Sequence, residues 1–343
     1  MHPHPHQTSQ QQNGQPLPSS GTETNSQYQP PVVETLEHRR FTEFCDSCRR
    51  YRYIGLCYGP SGVGKTFSAR TYSRWDKVKQ SDRWSAGPAE TPTLDTVFYT
   101  PEVVNAPGNI SSGIRFARDT LKDLARRPIR LESEQQLEAI RRRDEDHAAE
   151  LFTKHDWLNE PFPKLQPTYG EVAREYGIKD ARIADPTTLI LIDEADRLRM
   201  ASLEQVRAIF DASGVGIVLI GMPGLEKRLA RYAQFYSRIG FVHEFRPLGT
   251  TEVRRSLDQR WAPGGVNLPE QPWAEEAIAA IIRITGGNFR LLNRLLTQIE
   301  RILEINALQQ VTKTVVEAAR ESLVIGQRLR PGGQHSLVRV TRL

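Results

Sequence analysis

The segment 59–66, with the sequence GPSGVGKT, has the residue types and spacing that can bind phosphate. It fits the pattern GxxxxGK followed by Ser or Thr. Its glycines permit backbone conformations that other residues avoid, so the loop can wrap its N–H groups around phosphate oxygens. Lys65 would reach the β and γ phosphates of a nucleotide, and Thr66 would hold Mg²⁺. The predicted ATP-binding residues of this loop are Gly59, Pro60, Ser61, Gly62, Val63, Gly64, Lys65 and Thr66.

An acidic pair, Asp193 and Glu194, follows the apolar run LILI at 189–192. Asp193 would lie at the tip of a buried strand, where it can hold Mg²⁺ through water and complete the predicted ATP site. Glu194 is one position further on, where a carboxylate can orient and deprotonate an attacking water, and it is the predicted catalytic base. Such a pair is a weak signal alone. Behind a phosphate-binding loop it predicts Mg²⁺-dependent binding and hydrolysis of ATP.

A parallel sheet is the structure that would position these two motifs. Short, nearly continuous apolar stretches predict strands within 51–59, 96–100, 187–195 and 216–221. Helical spacing is found at 34–50, directly after the phosphate loop, at 112–127 before Pro128, and at 201–212. Strands of this kind that alternate with helices indicate a parallel sheet covered on both faces. After Pro247 the remaining stretches have helical spacing, so we predict an α/β fold followed by a small all-helical domain.

Changes of composition suggest the domain boundaries. Residues 1–32 are rich in Gln, Pro, Ser, Thr, Asn and Gly and contain neither Lys nor Arg, so they are predicted to be a disordered tail. The α/β domain is predicted over 33–246, with a charged insertion at about 129–186, and the helical domain over 247–325. The segment 326–343 is predicted to be a basic tail. Its arginines are Arg328, Arg330, Arg339 and Arg342.

Composition excludes several classes of protein. The chain has 343 residues, of which 38% are hydrophobic and 25% charged, and it contains no apolar run as long as a membrane span. The N-terminus lacks the apolar region of a signal peptide. Cys45, Cys48 and Cys57 are too few for a disulfide framework, and the lone CxxC lacks further zinc ligands, so we expect ordinary cysteines in a cytoplasmic protein. The net charge of +5 leans towards polyanionic partners.

The order of these motifs resembles that of AAA+ ATPases. GPSGVGKT is followed by LILIDEADRL, the apolar strand GIVLIG, the arginine-bearing turn YSRIG and a helical domain with TGGNFRLL, and the resemblance covers about 35–325. Within AAA+ proteins, the segments IDEADRL, VLIGMPGLEKRL and FYSRIGFVHEFRPL look most similar to transposition regulators. These are the TniB, TnsC and MuB group, with the IstB proteins of insertion sequences as neighbours.

The resemblance implies roles for two arginines. Arg238, in YSRIG, matches the arginine finger, which would enter a neighbouring subunit's site and stabilise transition-state charge. Arg231 is a second candidate, and a plain surface arginine is the alternative for either. Arg290, in GGNFR, matches the sensor-2 arginine that touches the γ-phosphate from the helical lid, although this segment could also be a simple helix cap. Met222 follows the fourth strand where the family has a polar sensor-1 residue, which leaves that contact unassigned.

The resemblance also implies contact with DNA through an element after the second strand. Here that element is 101–119, and its polar residues could hydrogen-bond phosphates without reading sequence. The alternative for 101–119 is a plain loop with a helix cap. The basic residues after the phosphate-loop helix could also face DNA, and the alternative for them is a solvated turn. The candidate DNA-binding residues are Asn105, Asn109, Ser111, Ser112, Arg115, Lys77, Lys79 and Arg83. The basic tail would dock a transposase, or else serve only as a solubilising end.

Together these features predict an ATP-dependent regulator of DNA transposition. ATP would lie between subunits and favour a ring or helical filament on double-stranded DNA, which would mark a target site and recruit the transposase. A TniQ-like target selector is a further candidate partner, and no membrane partner is expected. Hydrolysis would disassemble the filament. Two alternatives remain open at this point: a helicase loader or replication initiator, and an ATPase scaffold that does not bind DNA.

Overall fold

The computed structural model describes residues 35–80, 94–153, 165–259, 266–270 and 273–323. The two predicted tails, Arg83 and the arginines of the basic tail lie outside the described residues, as does part of the predicted insertion.

Five parallel strands form the centre of the fold. They are β1 Ile54–Tyr58, β2 Thr96–Tyr99, β3 Leu189–Ile192, β4 Gly216–Gly221 and β5 Ile239–Glu244, in the order β2-β3-β4-β1-β5. Each neighbouring pair runs parallel. The residues of β3 and β4 are buried throughout, as expected of strands that have helices on both faces. The predicted α/β fold with a parallel sheet is therefore confirmed.

Helices surround the sheet and form a second group after it. The helices before and among the strands are α1 Leu36–Tyr51, α2 Lys65–Ser73, α3 Trp75–Gln80, α4 Pro107–Thr153, α5 Tyr169–Arg182, which packs on α4, α6 Met200–Ser213, α7 Leu225–Ala230 and α8 Ala233–Tyr236. Those that follow it are α9 Thr250–Asp258, α10 Glu275–Thr285, α11 Phe289–Ile305 and α12 Lys313–Glu321. In the part of the chain that the structure describes, two large apolar cores form, one around the sheet and one among α9–α12, and a third, small cluster joins α4 to α5.

Helix α4 departs from the sequence prediction. The sequence predicts that Pro128 ends this helix, but α4 continues through Pro128 to Thr153. A proline inside a helix costs about 3 kcal/mol because it removes a backbone hydrogen bond and crowds the preceding turn. Packing of α4 against α5 offsets this cost, since Ile140 lies in a small apolar cluster with Val172 and Tyr176. The predicted start of the insertion at 129 thus falls inside one continuous helix.

Strand β5 is not among the strands that the sequence predicts. It pairs only with β1 among the described strands, and its residues alternate between half-buried and exposed. The alternation in IGFVHE was a usable signal, but it is weaker than the continuous apolar runs of the buried strands.

Two further sequence expectations concern the cysteines and the membrane. Cys45 and Cys48 lie buried on α1 and Cys57 lies buried on β1, all as free thiols. Within the ranges that the structure describes, no group of three or more His, Cys, Asp and Glu side chains is arranged to bind a metal ion. Over the same ranges, none of the helices combines the length and the apolar character that a bilayer crossing requires.

Candidate functional site

The phosphate loop connects the carboxyl end of β1 to the first turn of α2. Gly62 and Gly64 have φ angles of 79° and 110°, in the left-handed region where a side chain would be strained. Gly64 is the N-cap of α2, and no side chain caps this helix terminus or places a negative charge in its first turn. The helix N-terminus therefore keeps its backbone N–H groups and its positive partial charge for an anion.

Lys65 is the first residue of α2 and is buried beside this loop. Its Nζ donates to the carbonyl oxygens of Gly59 at 2.6 Å and Pro60 at 2.7 Å. An ammonium has three protons, so the loop holds the charge in place and leaves donor capacity for a phosphate oxygen. Burial lowers the pKa of Lys65, because removal from water penalises the charged form. A bound polyphosphate would restore favourable surroundings for that charge.

Thr66 and Asp193 meet across the site. The Thr66 hydroxyl donates to Asp193 Oδ2 at 2.7 Å, and the backbone N–H of Glu194 donates to Asp193 Oδ1 at 2.9 Å. Asp193 is 3% exposed. A hydroxyl and a carboxylate within hydrogen-bond distance of each other are hard oxygen donors of the type that Mg²⁺ prefers. The two motifs that the sequence separates by more than a hundred residues thus form one site.

Glu194 follows directly in a left-handed conformation, with φ of 53°. Its side chain is 41% exposed and lies 3.6 Å from the guanidinium of Arg197. The backbone conformation turns the chain away from β3 and leaves this carboxylate accessible to water at the edge of the site. A carboxylate with this placement can accept a proton from water.

Several residues that the sequence analysis did not assign hold the segment after Glu194. Asp196 Oδ1 accepts from the backbone N–H of Met222 at 3.1 Å, which fixes the end of β4 beside the acidic pair. Arg228, on α7, donates to the carbonyl oxygens of Ala195 and Asp196 at 3.2 and 3.0 Å. Met222 therefore makes its contact with Asp196 through its backbone N–H. The sequence signal for this role of Asp196 is its place in the run DEADR, where it is a second acidic residue that the ATP site does not use.

The helical group reaches the phosphate loop through the start of α11. Asn288 Nδ2 donates to the carbonyl oxygen of Ser61 at 2.7 Å. The backbone N–H of Arg290 donates to the carbonyl oxygen of Gly62 at 3.0 Å. The side chain of Arg290 is exposed. The structure thus brings the start of α11, with Arg290, against the phosphate loop, and the sensor-2 role of Arg290 stays a prediction.

Arg238 lies at the opposite end of β1 from the phosphate loop of its own chain. Its carbonyl oxygen accepts from Ile54 N, the first residue of β1, whereas the loop follows the last. Five strand residues separate the two ends by about 15 Å. The guanidinium forms a two-point ion pair with Asp211 on α6, with Nε–Oδ1 of 2.7 Å and Nη2–Oδ2 of 2.9 Å, and also donates to Gln234 O. Arg231 is exposed at the end of α7.

The candidate DNA-binding residues divide into two groups. Asn109, Ser112 and Arg115 are exposed on the first turns of α4, whereas Ser111 on the same turns is half-buried. Lys77 and Lys79 are exposed on α3.

Asn105 requires a correction. It is 4% exposed, and its Nδ2 donates to the carbonyl oxygens of Glu102 at 3.2 Å and Arg197 at 3.0 Å. Its Oδ1 accepts from Arg199 N at 3.4 Å. The amide is therefore used inside the protein, where it ties the segment after β2 to the segment after the acidic pair. It is not available to a phosphate group.

The parallel sheet and the joined phosphate-loop and acidic motifs define a P-loop nucleotide-binding protein. A family model of the AAA domain matches residues 48–229. A "Potential ATP-binding protein" of Staphylococcus aureus is 37% identical over 304 residues, covering 86% of this chain and 97% of that protein. The chain belongs to the AAA-domain family, binds ATP and is an ATPase.

More distant similarities were also found. The Mu-like prophage FluMu DNA transposition protein B of Haemophilus influenzae is 27% identical over 143 residues, which cover 36% of this chain and 48% of that protein. Among solved structures, the alignment with Drosophila ORC bound to DNA covers 91% of this chain and 69% of that chain, at 13% identity and a TM-score of 0.46. The alignment with the Thermotoga maritima RuvB Holliday junction branch migration motor covers 84% of this chain and 68% of that chain, at 14% identity and a TM-score of 0.43.

Proposed function

We propose that this ATPase regulates DNA transposition by assembling on double-stranded DNA in its ATP-bound state and recruiting the transposase. The observation that carries the proposal is the similarity to the Mu-like DNA transposition protein B, which spans about a third of the chain. It agrees with the resemblance of the IDEADRL and YSRIG segments to transposition regulators.

The ATP site suits hydrolysis controlled by assembly. Lys65 and the N–H groups of the phosphate loop would hold the β and γ phosphates, and Thr66 and Asp193 would hold Mg²⁺. That ion would neutralise the charge that develops on the phosphate oxygens. Glu194 would accept the proton of the attacking water. Arg238 is too far from its own chain's phosphate loop to reach it, so we assign it to the site of a neighbouring subunit.

The start of α4 supports contact with DNA. The helix begins at Pro107, has no acidic residue in its first turn, and exposes Asn109, Ser112 and Arg115. The first two lie three residues apart on one helix face, and helix N-termini favour phosphate groups. Lys77 and Lys79 on α3 are further candidates. Contacts of this type bind the backbone of the duplex and lose affinity steeply with salt.

Electron microscopy with and without ATP and duplex DNA tests the assembly. We expect rings or filaments only when both are present, and single particles indifferent to DNA would refute the proposal. Such particles with normal ATPase activity would favour the scaffold alternative.

A subunit-mixing experiment tests Arg238 separately. Lys65→Ala and Arg238→Ala proteins should each be inactive alone, and should regain part of the ATPase activity when mixed. Mixed assemblies contain sites with an intact phosphate loop from one chain and Arg238 from the other. Arg231→Ala is the matched control and should stay active alone. Absence of recovery, while mixed assemblies form, would exclude Arg238 as a residue shared between subunits.

A further inference from the structure

The loop between α10 and α11 is held against two other parts of the chain. Gly287 has φ of 75°, and its carbonyl oxygen accepts from Leu248 N at 3.0 Å. A Cβ built on Gly287 would lie 2.0 Å from Leu248 O, so no larger residue fits this approach. One residue further on, Asn288 contacts the phosphate loop. The loop thus joins the segment after β5 to the nucleotide site.

Asn288 uses both ends of its amide. Its Oδ1 caps α11 by accepting from the backbone N–H groups of Arg290 and Leu291 at 3.1 and 3.2 Å. Its Nδ2 donates to Ser61 O at 2.7 Å. An acceptor alone is enough for a helix cap, so the cap explains Oδ1 but does not require the donor to Ser61.

The two segments are also in direct van der Waals contact at Gly62. A Cβ built on Gly62 would lie 2.6 Å from Asn288 Oδ1 and 2.7 Å from Arg290 Cβ. The backbone N–H of Arg290 donates to Gly62 O at 3.0 Å. A shift of the phosphate loop at 61 and 62 would therefore either break these contacts or move the start of α11 with it.

We propose that Asn288 is a positioning residue that couples the phosphate loop to Arg290, so that the site distinguishes ATP from ADP. Its Nδ2 holds the first turn of α11 on Ser61, and this sets the side chain of Arg290 near the terminal phosphate of ATP. The proposal rests on the proposed ATPase site and on the sensor-2 role that the resemblance to AAA+ ATPases implies for Arg290. ADP lacks that phosphate, so its affinity depends less on where α11 begins.

The test uses variants that keep the cap and lose the donor. Ser and Asp are both good N-cap residues, but Ser is too short to reach Ser61 and an ionised Asp has no proton to donate. Asn288→Ser is the neutral variant, and Asn288→Asp adds a charge near the phosphates. Asn306→Ser is the matched control, because Asn306 Nδ2 donates to Ile302 O at 2.8 Å at the far end of the same helix.

Dissociation constants for ATP and ADP, kcat and KM are measured for the full chain. Without this donor the first turn of α11 must be ordered when ATP binds, at a cost comparable to one hydrogen bond. We therefore expect a five- to tenfold weaker affinity for ATP in Asn288→Ser, an affinity for ADP changed by less than about twofold, and a lower kcat. Asn288→Asp should lose more ATP affinity than Asn288→Ser. Asn306→Ser should match wild type. In an Arg290→Ala background, Asn288→Ser should add little, because both changes remove the same contact.

Three results would overturn the proposal. If Asn288→Ser keeps the wild-type preference for ATP over ADP while Arg290→Ala loses it, the coupling through Asn288 is refuted and the contact of Arg290 with the terminal phosphate is not. An unchanged preference in Arg290→Ala would instead refute the proposed role of Arg290. Loss of helix content in both cap-retaining variants, measured by circular dichroism, would assign the amide donor to folding.

Discussion

Replacing Asn105 by alanine distinguishes an internal tether from a DNA contact. The side chain is buried and donates at 3.2 and 3.0 Å to Glu102 O and Arg197 O, while its longer bond from Arg199 N measures 3.4 Å. Arg197 and Arg199 belong to the segment that follows Asp193 and Glu194. Asn105→Ala therefore loosens the attachment of the catalytic segment to the segment after β2.

The magnitude follows from the bonds that are lost. A typical internal hydrogen bond contributes about 1 kcal/mol, and a buried partner left unpaired costs more, so the two shorter bonds are together worth about 2 kcal/mol. We expect the free energy of unfolding to fall by about that amount. The third bond is too long to add much. Because the loosened segment directly follows Glu194, kcat should also fall, by several-fold.

Urea unfolding followed by circular dichroism, steady-state ATPase rates and DNA binding at several salt concentrations measure these effects. Asn109→Ala is the matched control, since Asn109 is exposed on the first turn of α4. We expect the control to keep wild-type stability. An Asn105→Ala protein of wild-type stability that loses DNA affinity about equally across sequences would refute the tether and restore a phosphate contact.

Three further predictions concern single residues. Glu194→Gln should bind ATP normally but lose at least a hundredfold in kcat, because the amide cannot accept a proton from water. Its ATP-bound assemblies should therefore persist, and rapid disassembly would argue against Glu194 as the base. Burial and the nearby Arg40 and Arg246 lower the pKa of His243, because they disfavour the charged imidazolium. The stability that depends on the neutral imidazole is therefore present above about pH 6.5 and is lost as the pH falls below that value. Urea midpoints at pH 7.5 and 5.5 should therefore differ less in His243→Gln than in wild type, and equal differences would contradict this. Burial raises the pKa of Cys48 to about 12, so iodoacetamide should modify it only after unfolding, and rapid labelling of the native chain would show that the site opens.

Local patterns were sufficient for most elements of the fold. Buried strands β3 and β4 are continuous apolar runs, and an apolar run of this length has few other ways to avoid water. The edge strand β5 and the continuation of α4 through Pro128 were not predicted. In both cases the outcome depends on packing against a distant segment, β1 for the strand and α5 for the helix, which local propensity does not contain.

The candidate site divides in the same way. The types and spacing of Gly62, Gly64 and Lys65 specify a phosphate loop by themselves, because all the groups that cradle the phosphate come from one short stretch. The residue types of the acidic pair specify its chemistry equally well. Only the order of the strands in the sheet decides that Thr66 and Asp193 meet at 2.7 Å.

The partners of exposed-looking polar residues were decided by tertiary structure alone. Asn105 and Asn288 both lie in segments that resemble polar loops, yet the first is buried as a tether and the second joins α11 to the phosphate loop. Arg238 is paired with Asp211, which lies on α6. An amide or a guanidinium binds whichever complementary group the fold brings within about 3 Å. The sequence therefore determined that this protein binds and hydrolyses ATP, and the fold decided which polar residues serve that site and which hold the structure around it.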